Sequence, residues 1–251
     1  MKKPNFYTVI IGTELLNGRR KDAHFDFVNS ELLRRGFEHK ASFVIKDEPK
    51  FIEDIFKLVK ADDQSVMFCF GGIGATPDDY TRIAAGNVFR NGNMEIHTGA
   101  KELIYERFGD DMYPHRINMA NLPLNAGLLK NVVSNVPGFY LDERFFFCPG
   151  FPSMARDMVL EALDKFYPQG QEKFSLVLTA YTSENTLIDV MEQVETSVDL
   201  SSLPQMIGDI RKTIISISGY EKESVQRNFA LFTDFLEKEK IDFNLGDNVC
   251  L

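Results

Sequence analysis

Tryptophan is absent from this chain of 251 residues, and cysteine and histidine occur only three and four times. Cys69, Cys148 and Cys250 match no zinc-ligand spacing, and an odd cysteine count does not suggest a secreted disulfide scaffold. Cys69 and Cys148 lie in the apolar runs VMFCF and FFFCP, which read as free core thiols. No run approaches the roughly 18 apolar residues that cross a bilayer. The first apolar run stops at Gly12, too short for a secretory signal, so the cytoplasm is the expected compartment and no membrane partner is expected. Basic blocks are lacking too. Net charge is −9, and residues 171–251 hold 7 Lys+Arg against 14 Asp+Glu, while residues 1–170 hold 21 against 23. So acidic a segment repels phosphate backbones, and nucleic acid is excluded as an expected partner. Three common catalytic signatures are missing: Gly-x4-Gly-Lys-Ser/Thr, His-Glu-x-x-His and Gly-x-Ser-x-Gly.

What the chain does have is 22 phenylalanines and a hydrophobic content of 44%, enough for a substantial core. Short apolar runs at 6–11 and 65–70 read as buried strands, and 43–45 as the end of another. Between them, Phe25, Val28 and Leu32 recur at helical spacing over 22–35, as do Phe51, Ile52, Ile55, Phe56 and Val59 over 48–60. The alternation predicts an α/β fold: a three-layer α/β/α arrangement around a mostly parallel sheet. Further helices are expected over 76–85, 98–109 and the segment from Met154 to Phe166, with strands at 136–140 and 144–148. The Pro168-Gln169-Gly170-Gln171 stretch marks a boundary, giving a domain over 1–168 and a small α+β subdomain over 171–251. In that subdomain we expect strands at 174–180 and 213–218, a helix at 183–193, a polar connection to about 210, and a last helix carrying Val225, Phe229, Phe232 and Leu236.

The chemistry centres on Gly71-Gly72-Ile73-Gly74-Ala75-Thr76-Pro77-Asp78-Asp79, which follows the third strand. Ligands of open α/β sheets sit outside the carboxyl ends of the strands. Gly71, Gly72 and Gly74 permit a sharp turn and close approach to a ligand, and a following helix N-terminus would attract phosphate. Thr76, Pro77 and Asp79 fit the N-cap, N1 and N3 positions of that helix. A helix start alone would account for both acids; two carboxylates beside a phosphate also suit a bridging cation. The dinucleotide fingerprint fails, because position 77 is Pro where a third glycine is needed.

Gly71–Asp79 with Tyr80-Thr81 resembles the GG-[LIT]-G-x-T-x-DD-x-T signature of the MoaB/Mog molybdenum-cofactor-biosynthesis domain, in its CinA-like form. Other matches fall in order: Ile11-Gly12-Thr13-Glu14-Leu15-Leu16-Asn17-Gly18, Lys46-Asp47-Glu48, Val136-Pro137-Gly138-Phe139 and Cys148-Pro149-Gly150-Phe151-Pro152. The resemblance covers about residues 6–166. The chain departs from the pattern at Ala75, where Pro is usual, at His24 in place of Asn, and at Cys148 in place of Leu. The rest resembles the extension that precedes the deamidase domain of full-length CinA, and deamidase activity is not expected.

The resemblance implies a small-molecule nucleotide or pterin phosphate as ligand, molybdopterin among them, a divalent metal such as Mg²⁺, Mn²⁺ or Co²⁺, and a homo-oligomer. It implies hydrolysis of an ADP-ribose- or FAD-like pyrophosphate; adenylyl transfer to molybdopterin and non-catalytic pterin or nucleotide sensing are the alternatives. On this reading Asp47 and Asp79 are catalytic, and Asp78 and Asp79 bind metal. Gly12, Thr13, Glu14, Gly71, Gly72, Gly74, Thr76, Pro149 and Gly150 contact the substrate or its phosphates. Without a ligand, Asp47 would read as the N-cap of the helix over 48–60. His24 near the first loop and Asn118 and Asn121 in a polar segment are further contacts to be placed.

Overall fold

The computed structural model describes residues 3–171, 173–208 and 210–246; Cys250 lies outside the described residues. The chain forms two compact units, Met1–Gly170 and Gln171–Leu251.

The first unit begins with β1 (Asn5–Ile11), the short helix α1 (Thr13–Leu16) and α2 (His24–Arg34). Next come β2 (His39–Ile45), α3 (Pro49–Lys60), β3 (Ser65–Phe70) and α4 (Thr81–Arg90). β4 (Met94–Ile96) and α5 (Thr98–Phe108) lead through two 3-10 turns to β5 (Asn121–Pro123), which pairs with β4. The unit closes with β6 (Gly127–Leu129), β7 (Gly138–Leu141), β8 (Phe145–Cys148) and α6 (Pro152–Phe166). The main sheet runs β2-β1-β3-β8-β7-β6. Its first four strands are parallel, and β7 and β6 are antiparallel additions.

β3 shows why this sequence makes a three-layer core. All six of its residues are buried. Its period-two alternation sends Met67 and Cys69 to one face, against Phe56 of α3, Ala85 of α4 and Ile104 of α5. Val66, Phe68 and Phe70 go to the other face, against Leu32 of α2 and Val159 of α6. Phenylalanine fills both layers: Phe68 stacks on Phe146 at 5.0 Å between centroids, and Phe139 on Phe147 at 4.5 Å. Cys69 and Cys148 are buried free thiols, one on each face of the sheet. In α3 the buried stripe is Ile52, Ile55, Phe56 and Val59, while Phe51 is exposed; Pro49 sets the first helical position.

The structure corrects the expected helix over 76–85. The helix starts at Thr81, five residues later, and residues 71–80 form an ordered loop. Tertiary bonds outweigh the local capping pattern here. The Thr81 amide donates to the Gly72 carbonyl at 3.0 Å, and the Thr81 hydroxyl donates to the Gly71 carbonyl at 2.8 Å. Those bonds fold the loop back over the end of β3 before the helix can begin.

In the second unit, β9 (Phe174–Ala180), a 3-10 turn, α7 (Ile188–Met191), β10 (Asp199–Ile207), β11 (Ile210–Gly219), α8 (Lys222–Lys238) and β12 (Phe243–Leu245) follow in order. They make an antiparallel sheet ordered β10-β11-β9-β12. Val225, Phe229, Phe232 and Leu236 of α8 are buried with Leu178, Ile215 and Ile217. The helix expected over 183–193 is a 3-10 turn and a single α-turn, and the expected polar connection contains β10. Among the described residues that strand pairs only with β11, so its Pro204 sits on an edge, where a missing N–H is tolerated. Among the described residues no helix is long and apolar enough to cross a membrane.

Phe68→Ala should cost about 3–5 kcal/mol, as a large cavity in the middle layer demands. Urea unfolding of the full chain checks this; a midpoint close to the parent's would show that the two core layers do not depend on this ring.

Candidate functional site

The carboxyl ends of β1, β2, β3 and β8 open onto one cleft of about 530 Å³. Its lining gathers most of the residues picked from sequence. Gly12 and Glu14 follow β1, and Asp47 follows β2. Gly71, Gly72, Gly74, Thr76, Asp78 and Asp79 follow β3, and Pro149 and Gly150 follow β8. Thr13 is not part of this lining; it bonds Asp47, which is.

Close approach explains the glycines. Gly71 has φ +100° and Gly72 φ +67°, both in the left-handed region. A Cβ on Gly71 would strike the Ile11 carbonyl oxygen, and one on Gly72 would strike the Thr81 hydroxyl. The amide of Gly71 donates to the Cys148 carbonyl at 3.0 Å, and a Cβ on Gly150 would lie 3.3 Å from the Gly71 Cα. The glycine loop is thus wedged between the ends of its two neighbouring strands.

Two threonine–aspartate clasps set the carboxylates. Asp47 Oδ2 accepts from the Thr13 amide at 2.8 Å and the Thr13 hydroxyl at 2.9 Å. Asp79 Oδ2 accepts from the Thr76 amide at 2.8 Å and the Thr76 hydroxyl at 2.6 Å. Both acids use Oδ2 for these bonds, so Oδ1 of each remains for a ligand. Asp47 therefore does not cap α3: Glu48 holds that N-cap position, without a side-chain cap bond. Thr76 likewise caps no helix. In this structure the donors of Thr13 and Thr76 are spent on carboxylates and orient them.

Three residues that sequence reasoning did not single out complete the site. Arg82 is buried, and its guanidinium donates to the carbonyls of Ile73 and Gly74, fastening the loop from beneath. Burial pulls its pKa down, against the pull of Asp79. Arg20 donates to the Gly150 carbonyl at 2.9 Å, lies 3.7 Å from Glu14, and sits over the Phe151 ring at 5.4 Å from its centroid. It is the one basic side chain among the described residues lining the cleft, against Glu14, Asp47, Asp78 and Asp79. Phe151, third of the group, lines the cleft while 59% exposed. Only the basic run Arg19-Arg20-Lys21 and an aromatic between Gly150 and Pro152 could have signalled these two; nothing local marks Arg82.

The other candidates lie elsewhere. Asn118 and Asn121 line a second cavity of about 900 Å³, across the arm formed by Ala75, Thr76 and Asp79, which lines both spaces. His24 is buried, its ring 4.4 Å from that of Phe70. Its Nδ1 pairs with Asp22 Oδ1 at 2.9 Å, and its buried Nε2 has no hydrogen-bond partner among the described residues. No cluster of three or more His, Cys, Asp or Glu able to hold a metal occurs among the described residues. The donor set still fits Mg²⁺, which takes one or two carboxylates and completes its shell with water and substrate phosphate.

Burial lowers the pKa of His24 despite the Asp22 carboxylate, and lowers that of His39 to about 4. An unfolded histidine titrates near 6.5. As pH falls through that value the unfolded chain takes up protons that the folded chain refuses, so stability must fall toward pH 5. The urea midpoint should drop between pH 7.5 and 5, and His24→Asn should flatten part of the slope. A midpoint that rises on acidification would contradict this.

Residues 7–169 match the family model described as "Probable molybdopterin binding domain". A protein of Caldivirga maquilingensis is 28% identical over 197 residues, covering 75% of each chain. A CinA-like protein of Synechocystis is 32% identical over 156 residues, 60% of this chain but 37% of that one, so the match spans little more than a third of that relative. The fold is also that of the protein CinA, of unknown function, from Thermoplasma acidophilum, with TM-score 0.59 and 24% identity over 65% of this chain and 97% of that one.

Proposed function

This chain belongs to the MoaB/Mog-like molybdopterin-binding domain family, in its CinA-like form, and from that premise we propose that it is a divalent-metal-dependent nucleotide pyrophosphatase acting on an ADP-ribose- or FAD-like diphosphate. The observation that carries the proposal is the pair of clasped aspartates, Asp47 and Asp79, in one cleft with the glycine loop. A plain phosphate site gains nothing from four carboxylates and a single arginine. A site that holds a cation between protein and diphosphate does gain from them.

In the proposed reaction the diphosphate lies along Gly72–Gly74, where the backbone amides beyond Gly71 and the missing side chains of the glycines let it approach closely. One water is consumed. Its oxygen bonds to one phosphorus, a bridging P–O bond breaks, and the products are AMP and a second phosphate monoester. Asp79 and Asp78 would hold Mg²⁺, Mn²⁺ or Co²⁺, which would supply neutralisation of charge on the phosphoryl oxygens. Asp47, clasped by Thr13, would take the proton of the attacking water through Oδ1. Thr76 and Thr13 serve as positioning residues, because a carboxylate with one oxygen already bonded loses less freedom when its other oxygen engages.

Adenylyl transfer or pterin binding uses the same loop, and the family description favours a pterin as the second reading. The two readings separate in a turnover screen. Purified protein is incubated with ADP-ribose, FAD, NAD and ATP, each with Mg²⁺, Mn²⁺ or Co²⁺, and AMP is quantified. AMP should form only with metal, and Asp79→Asn should lower its rate by about tenfold or more, the scale of a lost transition-state contact. Absence of AMP from every pair would remove the hydrolase reading and leave pterin binding, tested by titration.

A further inference from the structure

Phe151 is an aromatic ring in an unusual position: lining the ligand cleft, more than half exposed, and on a backbone that cannot move far. It lies between Gly150, packed against Gly71, and Pro152, the first residue of α6. Its carbonyl accepts from the amides of Met154 at 2.9 Å and Ala155 at 3.0 Å. Arg20 holds it from the side, through the guanidinium over the ring and the bond to the Gly150 carbonyl. An isolated exposed apolar side chain needs no explanation. One that is fastened at both backbone neighbours and by a cation, inside a cleft, is preorganised to present a flat surface.

From this geometry we infer that Phe151, positioned by Arg20, is the stacking platform for a planar heterocycle of the ligand, a purine or a pterin, whose phosphate lies in the glycine loop. β3 and β8 are neighbours in the sheet, about 4.8 Å apart, and the glycine loop and Phe151 continue from their two ends. Heterocycle and phosphate of one nucleotide therefore fall on adjacent strand ends, with the sugar or side chain bridging them. Arg20 covers one side of the ring, and the open side takes the base. This inference rests on the proposed nucleotide or pterin phosphate site and adds the feature that selects a ring over a bare sugar phosphate.

The test is calorimetric titration of the full chain, with Mg²⁺ present, using AMP, ribose 5-phosphate and neopterin monophosphate. Phe151→Ala and Phe151→Tyr are compared with the parent; the site is exposed, so neither change threatens the fold. The parent should bind AMP or the pterin more tightly than ribose 5-phosphate. Phe151→Ala should weaken the ring-bearing ligand about tenfold, the scale of one base-on-aromatic stack, and leave ribose 5-phosphate within about twofold. Phe151→Tyr should restore the parent's preference. Loss confined to the pterin would keep the platform and overturn the nucleotide reading. Equal weakening of all three ligands, or no change in any, would overturn the platform while leaving the phosphate site standing. Failure of the parent to bind any of the three would overturn both.

Discussion

The cleft exists because three strand ends meet at Gly71 with no room for a side chain. Its amide is bonded to the end of β8, its Cα faces Gly150, and its missing Cβ would collide with the end of β1. Every other feature of the site hangs from that crossing. The loop after it can turn back only because Gly72 accepts a left-handed backbone. Thr81 and Arg82, the first two residues of α4, then make four hydrogen bonds to the carbonyls of Gly71, Gly72, Ile73 and Gly74, which fasten the arm that leads to Asp79. Rigidity at the glycine comes first, and the carboxylates inherit it.

How much of this was legible in the sequence follows from where each element gets its stability. β1 and β3 are buried on both faces, so their apolar runs announce them directly. α3 and α8 carry their own stripes, and α3 departs from expectation only in Phe51, which turns outward. The start of α4 was misread because Thr76-Pro77-Asp78-Asp79 has every local mark of a helix N-terminus. What denies it the helix is a set of bonds from Thr81 back to Gly71 and Gly72, a fold-back that no capping pattern encodes. β10 was missed for the opposite reason. Its sequence, with Pro204 and two serines, has weak strand preference, and it is ordered by pairing with β11 alone.

The site divides in the same way. Gly12, Glu14, Asp47, the glycine loop, Asp78, Asp79, Pro149 and Gly150 were readable because strand ends of a parallel sheet share one edge. The roles of Thr13 and Thr76 were not readable. Spacing says that a threonine is near an acid, but only the folded structure shows that both its donors are spent on one oxygen. The roles of Arg20, Phe151 and Arg82 come from the structure. Arg20 acts on Gly150 across 130 positions of the chain, and Arg82 acts on the folded-back loop; neither contact leaves a periodic trace.

The spread of the lining residues along the chain has a consequence for biosynthesis. The cleft draws on positions from Ile11 to Met154, and its central glycine is held by a carbonyl at Cys148. A growing chain therefore has no ligand site until β8 has been made and has inserted beside β3. Its contacts are non-local, which makes such a sheet slow to assemble. Any small molecule that binds the cleft can stabilise the finished domain by mass action, but it has nothing to grip on the nascent one. Early folding must rest on the phenylalanine core alone, and the ligand can reward only a chain that has already found its topology.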